Sequence, residues 1–337
     1  MTIYYVRKNG GSDANAGTSF AAPFLTIGKG YSVLAASDTL RIVHDAGFTY
    51  FEGNLSRTVA TVTVEGWTSS DTQPSNTVEA QWPLIDATGF LTGMQYYNSW
   101  TMKRLRVQDA QDSCIGSVSG SSRTLTLEFA EISGATGGNG HGITHFGDNS
   151  LIEHVTVHDC AGTGIVSAST LLDNAVVRAC LVYDCNIGIN LGTGTNNKIA
   201  DCTVNSCTST GITGNANVTA IDCISTNNAT GYNATIVVDN CTAFGNTTNF
   251  AGSTDAESDV EDPQYVNAAA FDFHLQASTP AGTRIEGSAA GGGTNDLDGV
   301  AWESPRSRGA FQFVASAVLP VSVATFGGLA GVYSPPV

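Results

Sequence analysis

Six residues have the types and spacing for proton-transfer chemistry on a polar substrate: Arg104, Arg106, Glu131, His154, His158 and Tyr183. Glu131 offers a carboxylate, His158 an imidazole that titrates near neutrality, and Arg106 a fixed cation. Cleavage of a glycosidic bond uses two carboxyl groups. On this face the sequence supplies one, because Asp109, Asp159 and Asp184 fall at expected bends, where Asp bonds the turn backbone. Arg106 beside Glu131 also fits a plain cross-strand ion pair. Arg104, His154 and Tyr183 are the candidates for holding sugar. A second group, His141, His145 and Asp148, lies in GGNGHGITHFGDN. On a strand, residues four apart are about 13 Å apart, so these are expected to be loop residues and no metal ligand is assigned.

The elements that must position these residues emerge from a repeat. A six-residue frame returns as LRVQDA, AEISGA, VTVHDC, CLVYDC, CTVNSC, CISTNN and CTAFGN. The copies start at Leu105, Ala130, Val155, Cys180, Cys202, Cys223 and Cys241, at spacings of 25, 25, 25, 22, 21 and 18. A second mark follows eight to twelve residues after each start: Cys114-Ile115, Gly142-Ile143, Gly164-Ile165, Gly188-Ile189, Gly211-Ile212, Gly231-Tyr232 and Asn249-Phe250. Leucine-rich repeats need fixed Leu positions, and these are lacking. A parallel β-helix needs short alternating strands joined by turns, which the frame supplies. Positions one and three should point inward, two and four outward, and the sixth should follow a bend.

Successive coils would then stack at about 4.8 Å. One ladder holds Cys180, Cys202, Cys223 and Cys241; another holds Cys160, Cys185 and Cys207, then Asn228 and Asn246. Cysteine packs well in a narrow interior, and stacked Asn side chains can bond one another. Thiols in columns do not make the tetrahedron that zinc requires, and the ladder spacing is wide for disulfides. Beyond residue 180 the outward positions become mostly Thr, Asn and Asp, expected on the surface. TLRIVHDAGFTY (39–50), TVATVTVEGW (58–67) and WPLIDATGF (82–90) read as strands of two or three earlier coils.

Composition sets outer limits. The chain has 337 residues, 42% apolar and only 13% charged, with a net charge of −16. Scarce charge with abundant small and β-branched residues points to an all-β protein. The acidity argues against nucleic acid and anionic membrane partners. No stretch of 18 apolar residues suggests a membrane helix. The opening MTIYYVRKNGG lacks an apolar h-region, so no export signal is expected. The eight cysteines are expected to be reduced.

The two ends carry a resemblance. Tyr4-Tyr5-Val6, Asn9-Gly10-Gly11-Ser12-Asp13, Asn15-Ala16-Gly17-Thr18, Pro23-Phe24, Thr26-Ile27 and Asp38-Thr39-Leu40 resemble the opening of the pectate-lyase-like right-handed β-helix superfamily. DPQYVNAAAFDFHLQASTPAG (262–282) and DLDGVAWESPRSRGAFQF (296–313) are similar to its closing segment, without the usual aspartate after Ala281. The resemblance implies a single-stranded right-handed parallel β-helix with an N-terminal cap (1–38, with a short helix near 26–36), coils (39–255), closing strands (256–313) and an apolar C-terminal arm (314–337). It also implies candidate lyase roles for Arg106 and His158 at a uronate.

The arm has no charge, and Val314, Leu319, Phe326 and Tyr333 are its candidate partner contacts. With an incomplete catalytic set, we expect a non-enzymatic structural subunit of a bacteriophage particle: a capsid decoration, fibre or spike. Its expected partners are other virion subunits, a second copy of itself (a trimer is one option) and host glycans. The alternatives are a tailspike-type polysaccharide lyase or glycoside hydrolase, and a glycan-binding adhesin. No cofactor is expected; Ca2+ at the acidic run DAESDVED (255–262) is the alternative to a solvated loop.

Overall fold

A computed structural model describes residues 1–76, 78–117, 123–167, 172–252, 258–276, 286–287, 291–302 and 306–312. The chain is a right-handed parallel β-helix. One sheet of 16 strands and one of eight run along its length. All pairings within both sheets are parallel, between strands one coil apart in sequence.

The repeat frame is an arc between two left-handed corners. The residue before each frame, Arg104, Phe129, His154, Ala179, Asp201, Asp222 or Asn240, has φ between 48° and 57°. The fifth residue of each frame, Asp109, Gly134, Asp159, Asp184, Ser206, Asn227 or Gly245, has φ between 51° and 68°. Asp, Asn and Gly tolerate this region best, which explains the second corner. Between the corners, positions one and three are buried in every coil. Position two forms an unbroken outward column: Arg106 pairs with Glu131, Glu131 with Thr156, and then Leu181, Thr203, Ile224 and Thr242 follow.

The second mark builds the other wall. Met94, Ile115, Ile143, Ile165, Ile189, Ile212, Tyr232 and Phe250 stack in register. The glycines before Ile143, Ile165, Ile189 and Ile212 are needed because the two walls nearly touch. A Cβ on Gly188 would lie 2.3 Å from a Val204 methyl carbon and 2.5 Å from the Gly211 carbonyl oxygen.

All eight cysteines are free and buried. Those at position one donate to the carbonyl two residues back, as Cys180 does to Arg178 (3.1 Å) and Cys202 to Ala200 (3.1 Å). Where Cys gives way to Asn, the amide takes over: Asn228 Oδ1 accepts from the Cys207 backbone, and its Nδ2 donates to Asn246 Oδ1 at 3.0 Å. At the N-terminal end lies a helix, Ile27–Val33, whose Ile27, Gly30 and Tyr31 are buried. Thr26 caps it, and the Glu52 carboxylate accepts from the Ile27 and Gly28 amides, an anion at the positive end of the helix.

The later coils depart from expectation. Their outward residues are not a polar surface: Asp201 and Asp222 are fully buried, as are Thr203, Ile224 and Thr242. The closing segment lies along the side of the rod and covers them. Phe273, Leu275, Ala310 and Phe311 pack on Leu181, Tyr183 and Ile224. Arg308 donates to Thr242 Oγ1 (2.9 Å) and Asp259 Oδ2 (2.7 Å), and Arg306 comes within 2.8 Å of Asp201. The sequence-level picture missed this because the partners lie about 70 to 110 residues away, beyond any local pattern. Asp259, in the acidic run, is therefore an ion-pair partner, not merely solvated; residues 255–257 of that run lie outside the described residues. So do the arm residues Val314, Leu319, Phe326 and Tyr333.

Candidate functional site

Arg106, Glu131 and His158 meet on the outward face of three adjacent coils. Arg106 Nε donates to Glu131 Oε2, and His158 Nε2 lies 3.5 Å from Glu131 Oε1. His158 Nδ1 reaches Asp159 Oδ2 at 2.7 Å. Burial alone would raise the Glu131 carboxyl, but the hydrogen bonds from His158 and Arg106 outweigh it and hold the group below its ordinary range. Burial opposes the charge on His158; its bonds to Glu131 and Asp159 win and raise it.

Aromatic rings form a neighbouring column at position four. His158 stacks on Tyr183 (4.8 Å between centroids, 2° apart in plane), and Tyr183 stacks on Phe271 of the closing segment at 4.7 Å. His154 stacks on Phe129 at 4.7 Å, and its Nε2 faces the Asn295 carbonyl at 3.3 Å. If Nε2 carries the proton there, Nδ1 is an acceptor, and it has no partner among the described residues.

Part of this face borders a pocket of about 220 Å³. Glu131, His154, Thr156 and Tyr183 contribute from the coils; Asn76, Glu79 and Trp82 from the loop between strands Thr63–Thr68 and Leu84–Asp86; and Phe271, Leu297, Asp298 and Phe311 from the closing segment. The loop is pinned twice. Trp82 Nε1 donates to the Ser75 carbonyl (2.9 Å), and Arg104 Nε donates to Asn76 Oδ1 (2.7 Å). Arg104, a sugar-binding candidate from sequence, is thus only 5% exposed and supports the loop. His154 and Tyr183 are also buried, though both line the pocket.

Glu79 is the second carboxyl group that the sequence did not supply. Burial, then the charge of Glu131, raises it, against opposition from Arg106 and His158. Glu79 keeps an exposed surface, so solvent damps this shift; the direction stands because the Glu131 charge acts the same way as burial. Asp298 stands at the rim, bonded to His274 Nε2 (2.6 Å), while Asp272 holds His274 Nδ1 (2.6 Å). These two bonds, Asp298 first, raise His274 to about 9. The usable signal for Glu79 was length: the segment between Thr68 and Leu84 exceeds what one turn needs, and long insertions in repeat proteins often gather on the binding face. Asp298 carried no such signal.

His141, His145 and Asp148 do not converge. His141 Nδ1 accepts from the Thr163 amide (3.0 Å), Asp148 accepts from the Asp173 amide (3.0 Å), and His145 is exposed. Among the described residues no cluster of three or more His, Cys, Asp or Glu side chains is arranged to hold a metal ion. Among them, too, no helix is long and apolar enough to cross a membrane.

Residues 93–261, half of the chain, match a family model described as the right handed beta helix region. The crystal structure of pectate lyase Pel9A is similar at 14% identity and a TM-score of 0.57, covering 93% of this chain and 96% of its own. The GH136 lacto-N-biosidase from Eubacterium ramulus is similar at 13% identity and a TM-score of 0.51; the match covers 73% of this chain but 55% of that one. At these identities the likeness is one of fold. No curated protein matches the chain.

Proposed function

The chain belongs to the right-handed β-helix family, and from that premise we propose that its side pocket hydrolyses a glycosidic bond. One observation carries this: Glu79 and Glu131 line the same pocket, and their surroundings push their proton affinities in opposite directions. Such a split divides acid from base. Glu79, whose proton affinity is raised, gives its proton to the departing glycosidic oxygen. Glu131, kept ionised by Arg106 and His158, takes the proton of the attacking water or attacks the anomeric carbon itself. Water is added across the broken C–O bond, and a second proton transfer restores both carboxyls. The half-exposed ring of Phe271 supplies apolar surface for a sugar face. The lyase alternative asks Arg106 to serve as a free base, whereas here its guanidinium is held by Glu131.

The test is reducing-end release from a broad panel of plant, bacterial and capsular polysaccharides. Activity that Glu131→Gln and Glu79→Gln both abolish, with the fold intact by circular dichroism, supports the proposal. No release from any polysaccharide, or release that survives both substitutions, overturns it.

A placement on a bacteriophage particle has its own observation, the 29 residues after Arg308 without a charge. It is compatible with the pocket, since a particle-borne depolymerase would need both. Mass spectrometry of purified particles from a producing host decides it; absence of the chain from them removes the placement and leaves the pocket untouched.

A further inference from the structure

The outward column is a groove by construction, since an uncovered β-helix presents it along the whole rod. Here it is stopped. Leu181 and Tyr183 are 5% and 8% exposed, because Phe271, Phe273 and Phe311 lie over them. At the opposite side the loop carrying Glu79 and Trp82 is tied down by Arg104. What is left between is about 220 Å³, below the roughly 300 Å³ at which pockets for drug-sized ligands begin. That is room for one sugar ring and not for the middle of a polymer.

The pocket's charge is equally restrictive. Arg106 and His158 are both committed to Glu131, and His274 is held between Asp272 and Asp298. Two further carboxyl groups, Glu79 and Asp298, face the space. An incoming carboxylate would therefore find its potential counter-ions already paired, with Glu131 and Asp298 as like charge.

We propose that the pocket takes the chain-terminal, uncharged sugar of a glycan, with the closing segment as the wall that excludes internal chain segments. This rests on the hydrolase proposal for its chemistry but not for its geometry. Two experiments separate them. In the first, the full chain is incubated with neutral linear glucan, xylan and galactan hexasaccharides and with hexagalacturonate, and early products are resolved by anion-exchange chromatography. Terminal release from a neutral hexamer is expected, with Phe271→Ala adding mid-chain products. A ladder of all sizes from the unaltered chain, or preference for hexagalacturonate, overturns the inference.

In the second, Glu131→Gln, or Glu79→Gln should the first not fold, is mixed with the same hexamers for saturation-transfer NMR. Contact concentrated on one terminal ring of a neutral hexamer, and binding at least about tenfold weaker to hexagalacturonate, supports the inference even if nothing is cleaved. That combination would remove the hydrolase proposal alone. Contact spread over all rings overturns the terminal-sugar inference alone, and no contact with any hexamer overturns both.

Discussion

Glu79, on a loop, and Glu131, on a coil strand, line one pocket; Arg106 and His158 lower the proton affinity of both, burial raises both, and the Glu131 charge raises Glu79 further. For Glu131 the two direct hydrogen bonds win; Glu79 has only the distant charges, and burial wins. Turnover should therefore follow a bell-shaped pH profile. It falls on the acid side as Glu131 is protonated, below the ordinary Glu value, and on the alkaline side as Glu79 ionises, above it. Glu79→Gln should erase the alkaline limb and slow the reaction about 10²- to 10⁴-fold. An alkaline limb unchanged in that variant would assign the acid elsewhere.

Arg308 is 5% exposed and tied to Thr242 and Asp259. Arg308→Ala should lower stability by about 2–3 kcal/mol, the scale of a charged hydrogen bond lost from a buried site. Limited proteolysis should then cut the closing segment before the coils. Equal resistance in variant and parent would mean that the segment is held by its apolar contacts alone.

Asp201 carries a pH dependence. Burial raises its carboxyl to about 7, against the opposing charge of Arg306. In the unfolded chain it titrates near 3.8. Between those values the folded state keeps a proton that the unfolded state has lost. Its stabilising contribution is complete below about pH 4, shrinks as pH rises and is gone above about 7. Asp201→Asn should flatten the slope of unfolding midpoint against pH in that window; an unchanged slope would clear Asp201 of the effect.

Gly188 tests the narrowness of the interior. A methyl there would press on Val204 and the Gly211 carbonyl, so Gly188→Ala should cost about 1–3 kcal/mol. Val204→Ala in the same chain should recover only part of that, since the carbonyl cannot move aside. Thermal or urea unfolding reads both.

Burial raises the thiols of Cys114, Cys202, Cys207, Cys223 and Cys241. A buried, protonated thiol is a poor nucleophile. Ellman's reagent should leave these five thiols unmodified in the native chain and find all eight after unfolding, and reductant should leave the unfolding midpoint unchanged. Rapid native labelling would show the columns opening.

The coils were legible because each physical requirement falls on a residue within one repeat. A left-handed corner asks for Asp, Asn or Gly at the fifth frame position, a thin interior asks for Gly before Ile189, and stacking asks for the same side chain one period on. Position two could be aligned from Arg106 to Thr242 for the same reason, and with it the pairing of Arg106 with Glu131; His158, at position four, could be read only as sharing their face.

The pocket was not legible. Glu79, Asp298 and Phe271 reach it from a loop and a closing segment whose courses follow no period. They are fixed by docking contacts such as Arg104 to Asn76 and Ala310 to Thr203, which join residues far apart in the chain. The sequence by itself determined a rod with a column of outward side chains, because repetition makes local rules global. Only the tertiary structure decided that half of this column is buried, and that the other half faces a second carboxyl group, because both outcomes depend on where non-repeating segments come to rest.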